Sequence, residues 1–465
     1  MKQMKTDMNK FLAAFSALSF ALGALTVSAQ TVSLEDCLRL ADENAADLKN
    51  SRLDTEAALL QKQEAFCEYF PKFSLSMMGF EAVNPLLRIG VNDLLGNSDA
   101  ANNIKAYINT MAPIYGIKTV YETLQYGYGA TLSVSQPVYA GGRIVNGNRL
   151  ASLGIEAAQL QESIQERRTA IDIEKKYWMV ASLQEKAATL DKALEMLDTL
   201  SRDVNTLLQN GILTESEMMQ LRLRQGELRK DKLRVKAGIR LAKMDLFNTI
   251  GMKYCVLSST PEQAPFIDDI VLDALPENLD SPATCYMPVE QKAAATEEAR
   301  LLELQLKARR LEKKMTMGEA LPTIGLGASA GYGRYIGDGS ANAMVFAVIK
   351  VPISDWGKTS VKMRRQELQI RKAENEKDFL DNQLVLRTRQ RWSELEIAWE
   401  QLQLSEENVL YAREEMRRSE VSLEAGLCTM SQLLEAQMAL KQAQDGLIDD
   451  RIAYKTALSE YLAGN

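Results

Sequence analysis

Two hydrophobic periods organise this chain, and each is written twice. From 126 to 137, Tyr126, Tyr128, Ala130, Leu132 and Val134 fall on one side, and Gly127, Gly129, Thr131, Ser133 and Ser135 on the other. Period 2 predicts a strand. Ile324, Leu326, Ala328, Ala330 and Tyr332 alternate in the same way with Gly325, Gly327, Ser329, Gly331 and Gly333. Strands are therefore expected at about 126–137 and 323–335, with less cleanly alternating partners at about 73–80 and 343–352. Runs of about ten residues have the length of a tilted membrane-crossing strand. An apolar face opposite a small, polar one suits lipid on one side and a water-filled lumen on the other. A soluble antiparallel sheet with one wet face is the alternative.

The second period is helical. Leu34, Leu38, Ala41, Ala45 and Leu48 predict a helix over 33–68, ended by Pro71. Two helices of about sixty residues follow the strong strands, near 148–209 and 358–424, each roughly 90 Å long at 1.5 Å per residue. Leu183, Leu190, Leu197 and Val204 recur every seven residues in the first. Leu395, Leu402, Val409, Met416 and Leu423 do so in the second. Heptad spacing predicts coiled-coil packing. Further helices are expected near 215–250, 431–463 and 290–317.

These elements form a duplication. Pro137 and Pro352 are 215 residues apart, as are Gly211 and Gly426, and Tyr177 falls on Trp392 in the same frame. A repeat this long is a duplicated structural half. The expected boundaries are a leader at 1–29, a first repeat at 30–250, a loop-rich connector at 251–289 holding five of the eleven prolines, and a second repeat at 290–465. The hairpins are unequal, because Pro71 lies 66 residues before Pro137 and Pro322 only 30 before Pro352. The first hairpin thus carries an insertion at about 84–120.

Both long helices end with the same grammar. Gly211 and Gly426 stand where a left-handed C-cap is wanted. Thr214-x-x-Glu217 and Thr429-x-x-Gln432 then read as capping boxes, with Leu213 and Met218, and Cys428 and Leu433, as candidate staples. Helices joined this tightly are antiparallel neighbours, so both turns are tips of helical hairpins.

Composition narrows the function. Lys2, Lys5 and Lys10 precede an apolar run and Val27-Ser28-Ala29, the pattern of a cleaved export leader; an uncleaved anchor is the alternative. Cys37 comes too late in the chain for lipid attachment at the mature N terminus. No later stretch of about 18 apolar residues offers a spanning helix. The net charge of −7 is interleaved along helical faces, unlike a nucleic-acid patch. Five cysteines make no framework or metal site. Cys255 and Cys285 share a segment and would be free to pair in an oxidising compartment, with unpaired thiols as the alternative. The chain has no histidine, which removes the commonest general base and metal ligand. No phosphate loop, nucleophile elbow or HExxH is present, so no enzyme and no cofactor is expected.

Strand hairpin, giant helix and helical hairpin with a G-x-x-T turn, written twice behind a leader, resemble the TolC family of outer-membrane efflux proteins. The run from Leu423 through Gly426, Thr429 and Gln432 to Glu435 and Gln437 carries the resemblance most closely. It implies an α+β, mainly α fold: a trimer with four strands per chain in a twelve-stranded β-barrel, continued by a periplasmic α-helical coiled-coil barrel. It further implies an outer-membrane duct for a tripartite efflux or type I secretion system, docked on a periplasmic adaptor and an inner-membrane pump. Carried over by position, the pore constriction falls on Glu435, Glu217, Gln432 and Gln220. The adaptor-docking tips fall on Gly211, Thr214, Gly426, Thr429 and Leu423. Glu217 also has a purely structural reading as a cap, whereas Glu435 has none. The family's closed state also uses an aromatic and an arginine near this turn, where this chain has Leu423 and Cys428. A periplasmic adaptor or coiled-coil scaffold is the rival reading, but adaptors carry one hairpin where this chain shows two. An unrecognised hydrolase is a more distant rival.

Overall fold

A computed structural model of the chain describes residues 30–123, 125–209, 214–256, 266–276, 279–335 and 338–463. The leader at 1–29, Gly211 and Leu213 lie outside the described residues. In order, the elements are β1 (Gln30–Val32), α1 (Leu34–Asn44), α2 (Ala46–Cys67), β2 (Lys72–Glu81), β3 (Leu87–Gly90), α3 (Val91–Leu94), α4 (Asp99–Met111), β4 (Val120–Thr123) and β5 (Tyr126–Ala140). There follow α5 (Arg143–Gln209), α6 (Glu215–Thr249), β6 (Ile270–Leu272), α7 (Val289–Ala295), α8 (Glu297–Gly318), β7 (Thr323–Arg334), β8 (Ser340–Lys350), α9 (Lys358–Glu424) and α10 (Met430–Leu462). The two giant helices α5 and α9 have the same length, 67 residues each. Their starts at Arg143 and Lys358 keep the 215 offset.

The chain divides into two compact units, each drawing on both repeats. Among the described residues, the helical unit comprises those within 30–55, 159–301 and 378–463, and the sheet unit those within 56–158 and 302–377.

In the helical unit the heptads point inward as expected. Leu190, Leu197 and Val204 of α5 are buried with Met218, Leu221 and Leu228 of α6, Met416 of α9, and Met430 and Leu433 of α10. Leu395 and Leu402 of α9 pack with Tyr454 and Tyr461 of α10. A third cluster surrounds Tyr177, whose hydroxyl donates to the Val32 carbonyl and accepts from the Asp273 N–H, both at 3.0 Å. Trp392, its counterpart in the second repeat, instead packs edge-on to Tyr286 at 4.8 Å and tilted against Tyr461 at 5.1 Å.

Two local features depart from the sequence reading. The helix expected over 33–68 is broken at Ala45, whose ψ of 128° ends α1. The backbone of Gly251 lies so close to Asn44 that a Cβ there would sit 2.6 Å from its carbonyl oxygen. The connector is also more ordered than its prolines suggest: β6 pairs in parallel with β1, and Ile267, Ile270, Leu272 and Leu275 are buried. Lys243, only 3% exposed, donates to the carbonyls of Ile267 (3.1 Å) and Ile270. Among the described residues no disulfide joins Cys255 to Cys285.

Candidate channel wall and hairpin tips

In the sheet unit, four strands join in the order β2-β5-β7-β8, every pair antiparallel. The register turns the four alternating sequences into two continuous faces. One face carries the row Phe73, Val134, Ala328 and Val345, then Leu75, Leu132, Ala330 and Ala343, then Met77, Ala130, Tyr332 and Ala341. The opposite face carries Ser74, Ser133, Ser329 and Met344, then Ser76, Thr131, Gly331 and Asn342. This is the distribution required of a wall with lipid outside and water inside.

β5 runs past the expected end at Pro137 to Ala140, through a bulge between Pro137 and Tyr139. Pro137 is tolerated because β2 no longer pairs there; that ladder stops at Ser135. Several glycines on the small face are roofed by aromatic rings. A Cβ on Gly327 would strike the Phe346 ring, and one on Gly129 would strike Tyr335. β8 alternates less cleanly because both Met344 and Phe346 belong to the mostly small face. Sequence alone offered no sign of the roofing, because the pairing of Gly327 with Phe346 exists only in the register.

The insertion is folded. β3 and β4 pair antiparallel, and α3 and α4 lie between them in sequence. Leu86, Leu94, Tyr107, Ile114 and Tyr115 are exposed on it.

In the helical unit, the α9–α10 tip closes as a Schellman turn. Gly426 has a φ of 69°, its N–H reaches the Leu423 carbonyl at 3.0 Å, and the Leu427 N–H reaches Ser422 at 2.8 Å. Thr429 caps α10: its hydroxyl accepts from the Gln432 N–H at 3.3 Å, while Gln432 Oε1 accepts from the Thr429 N–H at 2.9 Å. Glu217 does the same for Thr214, accepting from its N–H at 2.8 Å and its hydroxyl at 2.9 Å. Glu217 and Gln432 are thus both engaged as helix caps. Gln220 and Glu435, one turn further along α6 and α10, are exposed. Leu423 packs against the tip core with Met218, Met430 and Leu433, which is the apolar role its heptad predicts. Among the described residues, no cluster of three or more metal-ligating side chains is assembled and no helix is long and apolar enough to cross a membrane.

The arrangement is thus a sheet with one apolar and one small, polar face, joined by strand-to-helix turns to duplicated helical hairpins. Residues 292–460 match the family described as "Outer membrane efflux protein". No curated protein matches the chain. Among solved structures, the Campylobacter jejuni CmeC outer membrane channel aligns with a TM-score of 0.72 at 15% identity, covering 93% of this chain and 85% of that one. The outer membrane protein VceC from Vibrio cholerae gives 0.71 at 14%, covering 93% and 95%. The open state of the Neisseria gonorrhoeae MtrE outer membrane channel gives 0.65 at 14%, covering 95% and 93%. The second repeat therefore carries the outer membrane efflux signature, and the whole chain has the fold of these TolC-like channels.

Proposed function

We propose that the protein is the passive outer-membrane exit duct of a tripartite efflux or type I secretion system, working as a homotrimer with a periplasmic adaptor and an inner-membrane pump. The sheet is the observation that carries this reading. Among the described residues, its two edge strands, β2 and β8, have no partner on their outer sides. Open edges are not tolerated in lipid, and about eight strands are the least that close a barrel. One chain supplies four. Because β2 and β8 run in opposite directions, successive copies join antiparallel. Three copies give the twelve strands that the TolC resemblance implies. Heat-resistant trimers in detergent extracts of the outer membrane are the expected result; a monomer in the soluble periplasmic fraction would return the protein to the adaptor class.

At the tips, we assign Glu435 as the principal constriction residue, with Glu217, Gln432 and Gln220 as weaker contributors and the turns at Gly211 and Gly426 as the adaptor contact. Three copies of Glu435 around a threefold axis would gather like charge in a narrow mouth and attract cations. Glu217 is already engaged in capping, which supports ranking it second. In planar-bilayer recordings with a trivalent cation on the helical side, Glu435→Gln is expected to relieve block and Glu217→Gln to relieve it less. Reversal of that order would make Glu217 the gate.

A further inference from the structure

The turns that lead from the sheet into the giant helices are equivalent by the 215 offset but chemically unlike. After β5 the chain reads Ala140-Gly141-Gly142, and both glycines have positive φ, 63° and 74°. After β8 it reads Asp355-Trp356-Gly357, and the same backbone is kept, with φ 54° and 79°. A tryptophan therefore occupies a left-handed position that the sister turn gives to glycine. Bulky residues there are strained outliers. Asp355 holds the turn, accepting from the Gly357 N–H at 3.0 Å and the Thr359 N–H at 2.7 Å, but the Trp356 ring is 98% exposed and Ile353 beside it 95%.

The first repeat shows what such a turn is for. Gly141 packs against Gly318 at the end of α8, where the second repeat enters the sheet: a Cβ on Gly141 would lie 3.0 Å from the Gly318 Cα and collide with its carbonyl. This is the seam between β5 and β7. The free edges β8 and β2 form the equivalent seam between copies when the sheet closes. Pro322 corresponds to Pro71 in the entry to the sheet, so Gly318 corresponds to Cys67, the last residue of α2. Around Cys67 stand Phe66, Tyr69 and Phe70, all exposed, with Phe66 edge-on to both others at 5.8 and 5.4 Å. One turn along the seam, Gly147 approaches Met315 within the chain. Their counterparts are Lys362 and Glu64, of opposite charge, although Lys362 already pairs with Glu319 of its own chain.

We propose that Trp356 and Ile353 of one copy pack on the Phe66, Tyr69 and Phe70 cluster of the next. This aromatic seam replaces between copies the glycine–glycine contact that joins the two repeats within one. The inference rests on the reading of the protein as a closed oligomeric barrel. The strained tryptophan is kept because its ring fills the wider gap that Cys67, unlike Gly318, imposes.

The test uses a native thiol. In the full-length protein, Trp356→Cys places a second thiol opposite Cys67 of the neighbouring copy. Mild oxidation should give covalent dimers and trimers on non-reducing gels, and adding Cys67→Ser should abolish them. Trp356→Gly is the second variant. Relief of backbone strain alone would raise the temperature at which trimers dissociate in detergent, whereas loss of the seam lowers it. Native-size trimers with no Cys67-dependent ladder, or a Trp356→Gly trimer as heat-resistant as wild type, overturn the seam while leaving the duct reading intact. Absence of any oligomer would instead sink the duct reading. Lipid is the other possible occupant. If acyl-brominated lipids quench wild-type fluorescence by a component that Trp356→Phe removes, with no ladder formed, the tryptophan faces the membrane and the seam is excluded.

Discussion

Single residues set the ends and bends of the elements. Gly426 is a case where only a left-handed residue closes the turn, and Gly426→Val strains it by about 1–2 kcal/mol. The tip is far from the sheet in sequence, so trimer levels should stay normal while efflux falls; unchanged transport of a cargo the wild type exports would count against docking at this turn. Cys37 offers a check on the core. It is fully buried, and burial pushes its thiol up to about 12, so at pH 8 it stays protonated and shielded. Iodoacetamide with mass-spectrometric readout should label Cys37 far less in the native protein than after denaturation. Equal labelling would mean that α1 does not hold its place against Tyr177 and Phe247. The capping residues Thr214, Glu217, Thr429 and Gln432 were legible at this scale because a cap is made by residues three apart. Lys243 was not, since the carbonyls it serves lie more than twenty residues away across the connector.

At the scale of elements, period determined the four strands of the large sheet and the long helices, but not the β1–β6 pair or the β3, α3, α4 and β4 of the insertion. Those strands, the heptad faces and the equal giant helices follow from alternation and spacing, because a buried face selects every second residue in a strand and about every third or fourth in a helix. Leu402 lies on the buried line of α9 at 3% exposure. Leu402→Ala should therefore cost about 2–5 kcal/mol, read as a lower unfolding temperature in detergent. A shift below a degree would mean that this heptad is not core. The break at Ala45 escaped the period. It lies where Gly251, about two hundred residues on, approaches Asn44, a contact that no local spacing announces.

For the whole molecule, the insertion at 84–120 joins β2 and β5 at the end of the sheet opposite to their junctions with α2 and α5. If the protein is the duct proposed above, that end is expected to face outward. An epitope tag near Gly96 should bind antibody on intact cells, and binding only after permeabilisation of the outer membrane would invert the topology. By itself the sequence determined the duplication, the two periods, the caps and the likeness to TolC-type ducts, because these are written in local spacing and in the order of segments. Only the tertiary structure decided that β5 pairs with β7 across the repeats, that the four apolar faces merge into one, and that β2 and β8 remain as edges. It also decided that Phe346 and Tyr335 roof glycines and that Trp356 stands exposed on a strained turn. Pairing joins residues about two hundred positions apart, as Leu132 with Ala330. A pattern of period 2 says which face a residue takes, but not which strand lies beside it.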